Sequence, residues 1–190
     1  KYIRGVKTDS FELIGNDTII FFHKEIICSD NLDPYNFSTV FSIGPSWLGS
    51  CMIKKGNSEE IFFKLDSSEI LIKTDALLDD KWILWESENG SYIEAKITNH
   101  DLKTFLAVED SVKEITLTYL NKVGNIVEDT ITGSSLHLSK NYGLISTYNF
   151  RDFPFNSRNE EVILHELKGC SKGNLGLSMM TKRDVYDYEI

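Results

Sequence analysis

The sequence predicts an all-β protein, with mostly antiparallel strands forming a sandwich or a strongly curved, barrel-like sheet, and little helix. Three observations carry that expectation. Apolar and polar residues alternate with a period of two in segment after segment, as strands with one buried face require. The segments are short, evenly spaced and separated by turn-forming residues such as Gly15-Asn16-Asp17, Asp66-Ser67-Ser68 and Asn89-Gly90. The run Leu138-Ser139-Lys140-Asn141-Tyr142-Gly143-Leu144-Ile145 sets a polar turn bearing Asn and Gly between apolar flanks, the pattern of a tight hairpin.

In chain order, residues 11–14 and 18–23 read as two strands joined by Gly15-Asn16-Asp17, residue types that accept positive φ or cap turns with their side chains. Residues 28–49 break the pattern. Ser, Asn, Asp, Pro and Gly are dense there, which predicts a long ordered loop with a short strand at 39–43. Residues 51–55 then form a strand ending at Gly56-Asn57, and residues 60–65 and 69–74 a hairpin over Asp66-Ser67-Ser68. Residues 81–86 and 91–98 form another over Asn89-Gly90, with Ile93, Ala95 and Ile97 on one face and Glu94 and Lys96 on the other. Residues 112–120 set Ile115, Leu117 and Tyr119 against Glu114, Thr116 and Thr118. Lys122-Val123-Gly124-Asn125 turns the chain into a strand at 126–131, and Leu136, Leu138 and residues 144–150 flank the Asn141 turn.

Helix signals are few. Residues 75–80 suit a single turn. Ser157-Arg158-Asn159-Glu160 has capping-box form with Gly169 as a stop, yet Val162-Ile163-Leu164-His165-Glu166-Leu167 fits a strand equally well. Phe153-Pro154-Phe155-Asn156-Ser157 is the expected boundary. It divides a β-rich domain at 1–154 from a C-terminal strand extension, or the start of a further domain, at 155–190.

The 29 acidic residues outnumber 20 basic ones, for a formal charge of -9. A surface of that sign repels phosphate backbones, so no nucleic-acid partner is expected. No apolar run approaches the ~20 residues of a membrane helix. The chain opens at Lys1 without a Met or a signal peptide, as a processed or trimmed product would.

Catalytic, cofactor and metal motifs are not in evidence. His165-Glu166 begins like HExxH, but Gly169 stands where the second His belongs. Gly44-Pro45-Ser46-Trp47-Leu48-Gly49 approaches a nucleophile elbow with its second Gly one place late. His23, His100, His137 and His165 are scattered. Asp30-Asn31-Leu32-Asp33-Pro34-Tyr35-Asn36 concentrates oxygen ligands without calcium-loop spacing, and reads as a solvated turn. Trp47, Trp82, Trp85, Tyr92 and Phe62-Phe63 supply the side chains of a carbohydrate platform, but core packing is the simpler use of them. Trp82 and Trp85, three apart on a strand, should face opposite ways. Cys28 and Cys51 flank the long loop and are the candidate disulfide; buried free thiols are the alternative.

The tail carries a resemblance. Leu167-Lys168-Gly169, Gly176-Leu177-Ser178, Met180-Thr181 and Asp184-Val185-Tyr186-Asp187-Tyr188-Glu189-Ile190 resemble a segment common in uncharacterised exported β-rich proteins of Bacteroidota. Asp110-Ser111-Val112-Lys113, the run from Leu138 to Ile145, and Phe150 to Pro154 resemble the same group. The likeness covers the second half of the chain. Longer members typically end in a type IX secretion sorting domain, and their tail pattern continues into Gly-Asp and a His. The resemblance therefore implies a secreted or cell-surface location and a chain cut from a longer one. It also implies O-glycosylation at Asp-(Ser/Thr)-apolar sites, here Thr18, Ser111 and Thr130.

The expected function is a non-enzymatic exported or cell-surface role in the bacterial envelope: binding, adhesion or accessory, with a protein or glycan partner and no cofactor. One alternative is a structural subunit bound to an outer-membrane machine such as the type IX translocon, docking through the loop that carries Phe37, Phe41 and Trp47. The other is a glycan-active enzyme, which needs a cleft with convergent acids or a His pair.

Overall fold

The computed structural model describes residues 2–8, 10–22, 24–29, 40–43, 46–151, 153–154, 164–170 and 172–176, with strand pairing alone for 2–4, 7, 24–29 and 40–43. In chain order its strands are β1 (Tyr2–Lys7), β2 (Ser10–Ile14), β3 (Asp17–Phe21), β4 (Lys24–Ser29), β5 (Val40–Ile43), β6 (Cys51–Lys54), β7 (Glu59–Phe63), β8 (Glu69–Lys73), β9 (Lys81–Glu86), β10 (Tyr92–Phe105), β11 (Val108–Leu120), β12 (Ser135–Ser139), β13 (Gly143–Tyr148), β14 (Leu164–Glu166), β15 (Gly169–Cys170) and β16 (Leu175–Gly176). One 3-10 turn, Lys172–Asn174, joins the last two.

The all-β expectation holds, and of its two forms the structure is the open one. A five-stranded sheet in the order β2-β3-β6-β7-β8 and a six-stranded sheet in the order β14-β13-β12-β11-β10-β9 are both antiparallel, and neither closes into a barrel. A three-stranded sheet, β1-β4-β5, precedes and interrupts the first. One core lies between the two larger sheets. Met52, Phe62, Ile70 and Ile72 enter it from the first, and Leu84, Ile93, Ile97, Ile115, Leu117 and Leu136 from the second. Each fully enclosed Ile or Leu is worth about 1.5–3 kcal/mol relative to exposure. The Trp82 indole N–H donates to the Leu71 carbonyl at 2.8 Å, tying β9 to β8 across the change of sheet.

Several expectations need correction. β1 and β4 were not anticipated, and Cys28 lies in β4 rather than in a loop, paired with Ile3. Residues 126–131 are not a strand. Asp129 Oδ1 accepts the Ile131 N–H at 3.2 Å, Thr132 N–H returns to the Asp129 carbonyl at 3.1 Å, and the turn so formed drops Ile131 into the core. Residues 75–80 make no helix; Asp80 Oδ2 accepts the Leu77 N–H at 2.7 Å and closes a turn instead. The apolar segment before Gly169 is strand at Leu164–Glu166, paired to β13; the capping-box residues lie outside the described ones. Nor do Trp82 and Trp85 face opposite ways: both are buried. Ile93 pairs with Trp85 and Glu94 with Ile83, so Leu84 is an extra residue on β9. That bulge shifts the alternation by one and turns Leu84 and Trp85 inward together. Phe62 is buried as well, so Trp82, Trp85 and Phe62 are core, while Trp47, Phe63 and Tyr92 are half-buried.

The predicted strands at 91–98 and 112–120 are parts of one longer hairpin. β10 and β11 pair from Tyr92↔Leu120 to Phe105↔Val108, and the two residues between are Leu106 (φ 48°) and Ala107 (φ 62°). Both central residues left-handed is the type I′ turn, which favours Asn-Gly. Neither Leu nor Ala suits it, so Ala107→Gly is expected to stabilise the protein by about 1 kcal/mol, read as a higher denaturation midpoint at unchanged m; an unchanged or lower midpoint would contradict the turn assignment.

Candidate functional site

The site is a groove of about 570 Å³ where the two large sheets meet. β6 contributes Lys54 and β7 its cross-strand partner Glu60; Thr74 follows β8. The other wall is His100 of β10, Ser111 and Lys113 of β11, Ser139 at the end of β12, Lys140 and Asn141 of the following turn, and Gly143 at the start of β13. Lys172 of the 3-10 turn completes the rim.

The Asn141 turn is shaped from below by Asp110. This carboxylate is buried, and the Ser139 hydroxyl donates to its Oδ2. The Asn141 backbone N–H donates to the same oxygen at 2.9 Å, and Asn141 Nδ2 to Oδ1 at 2.9 Å. The Tyr142 N–H closes the turn on Ser139 Oγ at 3.1 Å. Burial pushes the Asp110 carboxyl up, but the hydrogen bonds from Ser139, Asn141 and the Ser111 N–H outweigh it and hold it below the ordinary 3.8. A fixed negative charge thus underlies the turn while its own lone pairs are occupied.

The lysines are set in distinct ways. Lys113 Nζ donates to the Thr74 carbonyl at 2.8 Å, and burial holds this ammonium below the ordinary lysine value against the pull of Asp75 and Asp80. Lys172 Nζ donates to the Asn141 carbonyl at 2.7 Å and lies 5.6 Å from the centre of the Tyr142 ring. Glu60 is raised by burial, with Lys54 opposing. His100 Nε2 and Ser111 Oγ are 2.7 Å apart. Among the described residues no carboxylate orients the other His100 nitrogen, so the pair lacks the third member of a hydrolytic triad. Ammonium groups, hydroxyls and an amide together can bind acidic and hydroxylated groups by charge and hydrogen bonds.

Of the residues singled out from sequence, His100, Ser111 and the turn at Asn141 line the groove, and the others fall elsewhere. Cys51 is a half-buried free thiol on β6, which follows the free-thiol alternative and not the candidate disulfide with Cys28, a residue of β4. The Ser46 hydroxyl is sealed, donating to the Gly49 carbonyl at 3.3 Å and accepting the Leu48 N–H at 3.2 Å, as a turn cap. His165 and Glu166 lie on β14, and Trp47 stacks on the His165 ring at 4.6 Å between centroids. Phe41 is in β5, while Phe37 and the acidic run 30–36 lie outside the described residues. Thr18 is half-buried on β3, Ser111 faces the groove, and Thr130 is exposed in its turn. All three preceding aspartates accept a backbone N–H: Asp17 from Gly56, Asp110 from Asn141 and Asp129 from Ile131. Each Asp therefore has a local turn or inter-strand role.

Among the described residues no group of three or more His, Cys, Asp or Glu is placed to hold a metal ion, and no helix is long and apolar enough to cross a membrane. Lys54, Asp110, Lys113 and Lys172 were not recognised as parts of a site, because they come from segments far apart in sequence and each is locally an ordinary strand or turn residue. The chain matches no protein-family model, and the searches of curated proteins and of solved structures found no match to it.

Proposed function

We propose that the protein is a non-enzymatic binding domain, exported to or displayed on the bacterial cell surface, and that the groove at Lys54, Lys113, Lys140 and Lys172 takes its ligand. The observation that carries this reading is the groove itself. It is the meeting place of two rigid sheets, and its turn is fixed from below by the buried Asp110. Binding sites built on such elements hold their geometry without help from the ligand. A glycosidase would need a second carboxylate facing the first. Among the described lining residues Glu60 is the one carboxylate, which favours retention of a ligand over its hydrolysis. The exported location follows the likeness of the second half to exported Bacteroidota proteins. The test is a broad glycan and peptide panel, with binding mapped by amide NMR: shifts confined to residues 54, 60, 74, 100, 111–113, 138–143 and 172 are expected. Ligands whose shifts map to another surface would count against the groove.

A second reading has its own observation. Edge strand β2 exposes Phe11, Leu13 and Ile14 by 65, 71 and 59%. An uncovered apolar edge suits attachment to a larger assembly, here a subunit of an outer-membrane machine. Leu13→Lys should then abolish co-purification with that machine from the native membrane while leaving groove binding intact.

A further inference from the structure

We infer that the groove recognises an acidic saccharide, a chain of sugars bearing carboxylate or sulfate groups; the inference rests on the groove being the binding site. Charge placement is the first argument. In a chain of formal charge -9, Lys64, Lys73, Lys81, Lys96, Lys103 and Lys168 all stand within 4.0 Å of a carboxylate. Lys54, Lys113, Lys140 and Lys172 form no such pair among the described residues, and all four line this groove; outside it Lys55, Lys122 and Arg151 are the other cations with described side chains that lack one. The carboxylates that act on them are Glu60 beside Lys54, and Asp75 and Asp80 around Lys113. Glu60, Asp75, Asp80 and the hydrogen-bonded Asp110 beneath the turn offset part of this charge, yet four ammonium groups without an ion-pair partner around one concavity of an acidic protein favour an anion there.

The remaining lining narrows the class. Thr74, Ser111 and Asn141 stand between the lysines. The Thr74 hydroxyl donates to the Ser58 carbonyl and one Asn141 amide hydrogen goes to Asp110, which leaves their oxygens as acceptors. Ser111 with His100 adds a hydroxyl and an imidazole, while the buried Ser139 hydroxyl is taken up by Asp110 and Tyr142. Such a mixture matches sugar hydroxyls alternating with acidic groups. The lysines come from β6, β11, the turn after β12 and the 3-10 turn, so the charges are distributed around the groove rather than focused on one point. No arginine is among the described lining residues to offer the bidentate fork suited to one compact phosphate. Among the described lining residues there is no Phe, Tyr or Trp, His100 being the one aromatic side chain, and single-stranded nucleic acid is held largely by base stacking. Leu138 is the one large apolar side chain of the lining, too little to anchor the side chains of an acidic peptide.

Calorimetric titration of the intact chain tests the inference with a galacturonate tetrasaccharide, a sulfated galactose tetrasaccharide, the unsubstituted galactose tetrasaccharide, and inorganic sulfate and phosphate at matched ionic strength. At least one acidic tetrasaccharide should bind, more weakly as salt rises, and the neutral one should not. Lys54→Gln with Lys140→Gln should weaken binding roughly ten-fold. Lys55→Gln with Lys122→Gln, which changes net charge equally away from the groove, should change it less than about two-fold. Equal binding of the neutral tetrasaccharide, sensitive to the groove variant, would leave the groove reading standing and overturn the acidic one. Binding that both double variants weaken equally would overturn both. Inorganic sulfate or phosphate binding as tightly as the acidic sugars would reduce the site to a simple anion site, and no binding by either acidic sugar would end the inference.

Discussion

Asp110→Ala is expected to cost about 3 kcal/mol of stability and to abolish the ligand binding proposed for the groove. The carboxylate is buried and accepts the Ser139 hydroxyl and both the backbone and side-chain N–H of Asn141. A hydrogen bond to a charged group is worth about 1.5–3 kcal/mol net, and the bonds of one carboxylate are not additive. Removing the acceptor leaves the Ser139 and Asn141 donors facing a small polar void that water fills in part. For a chain of this length, about 3 kcal/mol corresponds to a melting temperature lower by roughly 10 °C. Asp110→Asn should behave similarly, because its NH₂ confronts donors where an acceptor is needed. The pH dependence gives an independent reading. Asp110 is held below its ordinary 3.8, so its contribution is present above that value and is lost as the pH falls through the lower folded value. The stability gap between wild type and Asp110→Asn should therefore be constant near neutrality and shrink below pH about 4. A gap under about 1 kcal/mol at neutral pH would show that the turn is held by other means.

Where residue type and local geometry agreed, the fold was legible in the sequence. Asn89-Gly90 and Asp66-Ser67-Ser68 sit at hairpin turns, and β9 runs over the expected residues. The misses share a physical cause: local chemistry was overruled by packing. Nothing about Leu106-Ala107 announces a turn, yet the pairing of two long strands holds both residues left-handed, and β10 and β11 were consequently read too short. The bulge at Leu84 leaves no mark in the sequence either, so parity placed one tryptophan outside the core. Ile131 has the apolar character of a strand residue but earns its burial from a turn. The site was less legible still. The Asn141 turn and Asp110-Ser111 were each noticed, as turn chemistry and as a modification motif. Their contact is made across the sheet by residues 31 positions apart, a relation no local pattern carries. The four groove lysines are likewise brought together by the packing of the two sheets.

Phe150→Ala should be more damaging, at about 4 kcal/mol, and its value lies in how that loss is distributed. Phe150 follows β13 of the six-stranded sheet and is fully buried. Its ring meets Phe62 of β7 in the five-stranded sheet edge-on at 5.1 Å between centroids, and Phe153 at 6.1 Å, which in turn stacks on Tyr148 at 5.9 Å. Truncating a buried Phe to Ala costs about 3–5 kcal/mol through lost transfer energy and the cavity left behind. Edge-to-face contacts add about 0.5–1.5 kcal/mol per pair, which places this site toward the upper part of that range. Phe150→Leu should cost only about 1–2 kcal/mol, because most of the volume is kept. Because the ring bridges the sheets, its loss should move a single cooperative denaturation transition, seen identically by tryptophan fluorescence and far-ultraviolet dichroism. Two transitions, with the fluorescence of the core tryptophans shifted and the dichroism unmoved, would mean that the sheets unfold separately. The groove, which needs both sheets in register to bring Lys54 towards Lys113, would then lose its shape, and with it the proposed binding, before the strands themselves melted.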